Sequence, residues 1–166
     1  MDEPTKTYIA GFLDGDGSII AQLVKWPGYQ FGFHVRVSVC FYQNTGHRDH
    51  LEWLQHTMNM GYIRDRDGNM SDYTIVAHKD VRWILTELQP YVRLKARHVM
   101  LALKILDALE QEIDAQGFLA IARKVDELAA LNYSKKKKYD ANVIRRTLES
   151  MGLLAPVTTD SLQDQR

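Results

Sequence analysis

The chain has 166 residues, 45% of them hydrophobic, with 21 Lys and Arg against 21 Asp and Glu, six His and one Cys. That length supports a single globular domain that can bury a core without disulfides or structural metals, and the lone Cys40 has no partner for an internal disulfide, which points to a reducing, intracellular compartment. No stretch approaches the about 20 apolar residues of a bilayer span, and the opening MDEPTKTY lacks a basic, apolar leader, so neither membrane insertion nor conventional secretion is expected.

The first predicted element is a helix across 8–13 within YIAGFLDGDGS. It places Ala10 and Gly11 in an apolar turn, where Gly costs about 1 kcal/mol relative to Ala, and close approach of another backbone is the usual compensation. Asp14-Gly15-Asp16-Gly17 follows. Two carboxylates at a helix C-terminus oppose the helix dipole, and gathered carboxylate and carbonyl oxygens are what a hard divalent ion such as Mg²⁺ needs. A simple Asp-Gly turn joining helix to strand is the alternative.

Ile19, Ala21 and Leu23 then alternate with Ile20, Gln22, Val24 and Trp26, and a turn at Trp26-Pro27-Gly28 leads to residues 31–41. There Phe31, Phe33, Val35, Val37, Val39 and Phe41 alternate with Gly32, His34, Arg36, Ser38 and Cys40, a strand with one apolar and one polar face. A helix over 50–58 carries Leu51, Leu54 and Met58. A second hairpin pairs 62–66 with 71–77 through Asp67-Gly68-Asn69, burying Ile63, Tyr73, Ile75 and Ala77. Helices follow over 79–88 (Trp83, Ile84, Leu88), around Val99, Leu103 and Leu106, from Phe118 to Ala129, and through Ile144, Leu148 and Met151. Residues 1–155 form one domain, with 156–166 expected as a disordered polar tail. The order gives an α+β fold whose antiparallel sheet keeps one polar face open to a ligand.

Zero net charge conceals segregation. Residues 17–48 carry Lys25, Arg36 and Arg48 without an acid, 91–104 carry Arg93, Lys95, Arg97 and Lys104 without an acid, and 133–146 set six basic residues against Asp140 alone. The acids concentrate in 107–127. Brought together, the basic segments would make the positive face of a nucleic-acid binder.

YIAGFLDGDGS resembles the LAGLIDADG motif, in the variant of the single-motif homing endonucleases of organellar introns. The resemblance continues through IIAQ at 19–22, Gln43 at a strand end, GYIRDR at 61–66, SDY at 71–73, LQPYVRLK at 88–95 and LAALN at 128–132 with its Ser-Lys stretch. It implies an αββαββα core with a saddle-shaped antiparallel sheet and C-terminal helices, dimerising through the motif helix at Tyr8, Ala10, Gly11 and Phe12. It further implies an intron-encoded, organellar enzyme of intron homing. Such an enzyme cleaves both strands of a long pseudo-palindromic DNA target and leaves 3′ overhangs.

By position, Asp16 is implied as metal ligand and catalytic residue, with the Gly15 carbonyl as auxiliary ligand and Asp14 as a structural group. Mg²⁺ is the implied cofactor, Mn²⁺ a substitute, and Ca²⁺ an ion that supports binding without cleavage. Gln43 and Lys95 match the polar and basic shell around the active site. His47 stands where Arg or Lys is usual, and serves either as a proton shuttle or as a polar residue before a helix. The polar sheet face becomes the base-reading surface, with Gln22, Val24, Trp26, Tyr29, His34, Arg36, Ser38, Cys40, Arg64, Arg66, Asp72 and Thr74 as candidates. Asp72 either contacts cytosine or orients Arg64 and Arg66. Lys135, Lys136 and Lys138 resemble a phosphate-gripping loop, against the alternative of a basic linker. An intron RNA maturase and a non-cleaving DNA-binding protein are the other activities this family resemblance leaves open.

Overall fold

A computed structural model describes residues 1–133 and 138–156. The elements, in chain order, are α1 (Glu3–Asp16), β1 (Gly17–Lys25), β2 (Phe33–Asn44), α2 (Arg48–Met58), β3 (Tyr62–Arg66), β4 (Met70–Ile75), α3 (His78–Leu88), α4 (Ala96–Leu109), α5 (Ala115–Leu131) and α6 (Ala141–Ser150). Of the expected tail at 156–166, residues 157–166 lie outside the described residues, as do Lys135 and Lys136.

Helix α1 starts where Asp2 accepts the Thr5 N–H at 3.0 Å, with Pro4 in the first turn, a position where the missing Pro N–H costs nothing. It ends abruptly. The Gly17 N–H closes onto the Leu13 carbonyl while the chain turns extended into β1, and a Cβ on Gly17 would stand 2.6 Å from Leu13 Cδ1 and 2.8 Å from Leu13 O. Glycine is therefore required for the helix to pass straight into the sheet.

The four strands run in the order β1-β2-β4-β3, each neighbour antiparallel. The apolar face read from sequence is the face turned to the helices: Ile19, Ala21, Leu23, Phe33, Val35, Val37, Val39, Phe41, Tyr73 and Ile75 lie inside, under α1, α2, α3, α4 and α5. Helices cover this one face, and the edge strand β1 is tied to the end of α5 where Asn132 Nδ2 donates to the Ile19 carbonyl at 2.8 Å. Among the described residues no helix is long and apolar enough to cross a membrane.

Three expected core positions fall outside the core. Ala77 is exposed because β4 ends at Ile75 and Ala77 serves as the N-cap of α3. Trp83 is exposed because the buried stripe of α3 runs through Val81, Ile84, Leu85 and Leu88. Met151 sits past the end of α6, also in solvent.

Candidate active site and nucleic-acid interface

The C-terminus of α1 is held by the loop before α4. The Asp14 carboxylate accepts the backbone N–H groups of Arg93 (2.7 Å), Leu94 (3.1 Å) and Lys95 (2.9 Å), and the Lys95 ammonium donates to the Asp14 carbonyl. Asp14 thus caps the approach to α4, and Lys95 is the cation that the carboxylate-rich helix end requires. With Leu13 O taken by Gly17 and Asp14 O taken by Lys95, the Gly15 carbonyl is the next oxygen beside the exposed Asp16 carboxylate.

Strand register brings the other candidates to the same end of the sheet. Gly17 pairs with Phe41, so β2 runs on past the α1 terminus to Gln43. Gln43 Oε1 accepts the Asn44 N–H at 2.8 Å; its amide oxygen is occupied, which leaves its two N–H donors to meet an anion. His47 is exposed at the N-cap position of α2, where its side chain makes no capping hydrogen bond. The segment carrying it is braced from below: buried Ser71 donates to Asp65 at 2.7 Å, and Arg48 bridges Asp65 and Glu52.

Among the described residues no three His, Cys, Asp or Glu side chains cluster as a metal site. The chain contributes one exposed carboxylate, Asp16, and backbone carbonyl oxygen. These are hard oxygen donors of the kind Mg²⁺ or Ca²⁺ takes, with too few of them to enclose an ion. The donor chemistry fits a divalent cation completed from elsewhere.

Of the α1 residues expected at a dimer contact, Tyr8 is 52% exposed, Gly11 exposed and Phe12 half-buried, whereas Ala10 is fully buried and packs inside its own subunit. Tyr8 joins His50 and Trp53 in a surface aromatic cluster, its ring centroid 5.7 Å from each of theirs. A Cβ at Gly11 or at Gly15 would meet nothing within 4 Å. Being four residues apart, the two glycines form a bare strip of backbone along one face of α1.

On the polar sheet face, Gln22, Trp26, Tyr29, Arg36, Arg64 and Arg66 are exposed and Val24 and His34 half-buried, with His34 stacked on Tyr29 at 5.1 Å. Ser38, Cys40, Asp72 and Thr74 point to this face yet are buried. Arg64 Nε donates to Asp72 at 2.9 Å, Arg66 Nε donates to the same carboxylate, and Thr74 Oγ1 donates to it at 2.7 Å while lying 3.4 Å from Cys40 Sγ. Asp72 therefore orients the two arginines. Tyr42 lies beside them, under the Arg66 guanidinium at 5.8 Å, and burial, with the Cys40 thiol next to it, pushes its phenol up to about 12.

Burial alone would raise the Asp72 carboxyl, but hydrogen bonds from Arg66, Thr74 and Arg64 outweigh that and hold it below the usual carboxylate range. A carboxyl depressed in the fold contributes stability above its unfolded value of about 3.9, and that contribution fades as pH falls through the folded value. Asp72→Asn is expected to cost about 2 kcal/mol at pH 7. Melting curves of the two proteins should begin to approach each other only below about pH 4 and converge once the pH has fallen through the depressed folded value of Asp72; a gap that persists below that value would show that the carboxylate charge is not what holds the pair.

The sequence of residues 9–105 matches the LAGLIDADG endonuclease family. The DNA endonuclease I-CreI of Chlamydomonas reinhardtii is 39% identical over 145 residues, 87% of this chain and 88% of that protein. The chain belongs to the LAGLIDADG endonuclease family. A second relative, the DNA endonuclease I-CvuI of Chlorella vulgaris, is 30% identical over 151 residues, 91% of this chain and 94% of its own. Its crystal structure with its target in the presence of calcium superposes with a TM-score of 0.86, covering 91% of this chain and 96% of that one. The archaeal homing endonuclease I-Vdi141I complexed with DNA shares the fold at 18% identity, with a TM-score of 0.81, over 93% of this chain and 100% of its own.

The matched family region contains both hairpins and Asp16, Gln43, His47 and Lys95; Lys138 lies beyond it. Two residues beside the candidate site were not among the site candidates, although Lys25 lies in one of the basic segments. Tyr42 continues the even-numbered face of β2 one step past Cys40, which strand parity would have shown. Lys25 lines one groove of about 500 Å³ with Gln22, Val24, Arg36 and Lys138, a grouping that only the packing of β1 beside α5 reveals.

Proposed function

We propose that the chain acts as a homodimeric homing endonuclease that hydrolyses one phosphodiester bond in each strand of a long pseudo-palindromic DNA target, leaving 3′ overhangs. The reaction depends on a divalent metal: Mg²⁺ or Mn²⁺ sustains it, and Ca²⁺ supports binding alone. The observation that carries this reading is the bare Gly11 and Gly15 strip leading to a single exposed Asp16. A glycine face with no neighbour inside the subunit fits close packing against a second α1, and a two-fold axis there would pair the two lone carboxylates. The relative I-CvuI has been crystallised on DNA with calcium, and with magnesium on the I-CreI target, which was not cleaved.

Asp16 and the Gly15 carbonyl would hold the ion, which when bound supplies Lewis acidity and a more acidic water. The surrounding residues act on the phosphate. Lys95, anchored at the Asp14 carbonyl, keeps two further N–H donors for a phosphate oxygen, and its position is set before DNA arrives. Gln43 turns amide donors outward from the end of β2. His47, exposed at the same end, is placed to exchange a proton with solvent.

The decisive experiment is plasmid cleavage using DNA from an allele that lacks the intron, with Mg²⁺ and with excess EDTA. Linear product in Mg²⁺ only is expected; cleavage in EDTA refutes the metal assignment. In the groove beside β1, Lys138→Ala should weaken binding to target and random DNA alike. It should also flatten the slope of log K against log salt by about 0.9, and an unchanged slope would remove Lys138 from the phosphate contacts.

A further inference from the structure

One pair on the polar sheet face has a donor pattern fixed by its own hydrogen bond. Gln22 of β1 stands directly opposite Arg36 of β2, both are exposed, and Arg36 Nη2 donates to Gln22 Oε1 at 2.5 Å. Guanidinium nitrogens only donate, so the amide must turn its oxygen to Arg36 and its NH₂ outward. The paired surface then offers Gln22 N–H groups and the remaining Arg36 N–H groups, all of them donors.

The rungs on either side do not alter this. Val24 opposite His34 and Ile20 opposite Ser38 bring no carboxylate to the face. Of the charged groups lining the adjoining groove, Lys25 and Lys138 are positive, and Asp126 accepts the Ala141 N–H at 2.9 Å.

A lone glutamine in the major groove pairs with adenine, donating to N7 and accepting from N6. With Arg36 on one of the two lone pairs of Oε1, the amide is turned to present its NH₂ outward and does not offer oxygen and NH₂ together in the bidentate adenine geometry. Adenine N6 and cytosine N4 would each meet a donor, whereas guanine presents two acceptors side by side, N7 and O6. We propose that Gln22 and Arg36 form one donor-presenting unit that selects guanine in each half-site, with Arg36 suppressing the adenine preference of Gln22. This rests on the reading of the sheet as a DNA-contacting surface.

The test is selection of bound duplexes from a randomised library, in Ca²⁺, by the parent protein, Arg36→Ala and Gln22→Ala. The parent should enrich guanine over adenine about tenfold at one position per half-site. Arg36→Ala frees the amide and should switch that position to adenine, with the other positions unchanged. Gln22→Ala should keep guanine, since arginine alone can pair with it bidentately. An adenine preference in the parent at the position that Arg36→Ala alters overturns the proposal, as does an Arg36→Ala profile identical to the parent's. Loss of guanine without a gain of adenine overturns the coupling between the two side chains. If the parent selects a long, defined sequence in any of these cases, only this inference fails; if it selects none, the base-reading sheet fails with it.

Discussion

Asp16→Asn is expected to lower cleavage by more than about 100-fold while leaving specific DNA binding within about tenfold. The two effects separate because Asp16 is exposed at the end of α1, apart from the sheet residues that would read bases. Asparagine keeps an oxygen and the side-chain shape but loses the charge that a divalent ion needs from so sparse a donor set. A second consequence needs no DNA. Without metal, the Asp16 carboxylate faces the negative end of its own helix, and in the proposed dimer it would face its symmetry mate as well, so the substitution should raise stability in EDTA by about 0.3–1 kcal/mol. Undiminished nicking by the variant, with metal-free stability unchanged or lowered, would remove Asp16 from the metal site.

Strand parity showed which face of β2 is buried, because alternate side chains on a half-covered sheet must differ in polarity. Depth was not legible. Ser38, Cys40, Asp72 and Thr74 share the polar face with Arg36 yet are buried: Arg64 and Arg66 fold back onto Asp72, and Thr74 donates to the same carboxylate. Polarity distinguishes the two faces and says nothing about which residues on one face are roofed by others. The structural role of Asp14 was implied by the family resemblance alone, since its partners at 93–95 lie some 80 positions along the chain and no local spacing marks that contact. Ala10 and Gly11 looked equivalent as small residues. One helical step turns the first into the core and the second into solvent, so the same residue size serves internal packing at one position and an outward face at the next.

Gly11→Leu is expected to abolish association without unfolding the subunit. Within one subunit a Cβ at Gly11 meets nothing within 4 Å, and the residue sits inside α1, where replacing Gly by a good helix former gains up to about 1 kcal/mol. A strip of bare backbone kept at that cost makes sense if another backbone lies against it. Two leucine side chains facing each other across a two-fold axis would force the helices apart along their length and separate the paired Asp16 carboxylates. The effect should be graded: Gly11→Ala weakens the dimer, and Gly11→Leu leaves monomers at concentrations where the parent is fully dimeric. Sedimentation reads the association state, circular dichroism reads the retained helix, and plasmid assays should show the loss of double-strand cleavage together with the loss of dimer. A Gly11→Leu protein that sediments as a tight dimer would move the interface off α1, and the exposed Gly11 and Gly15 strip would then need a different explanation.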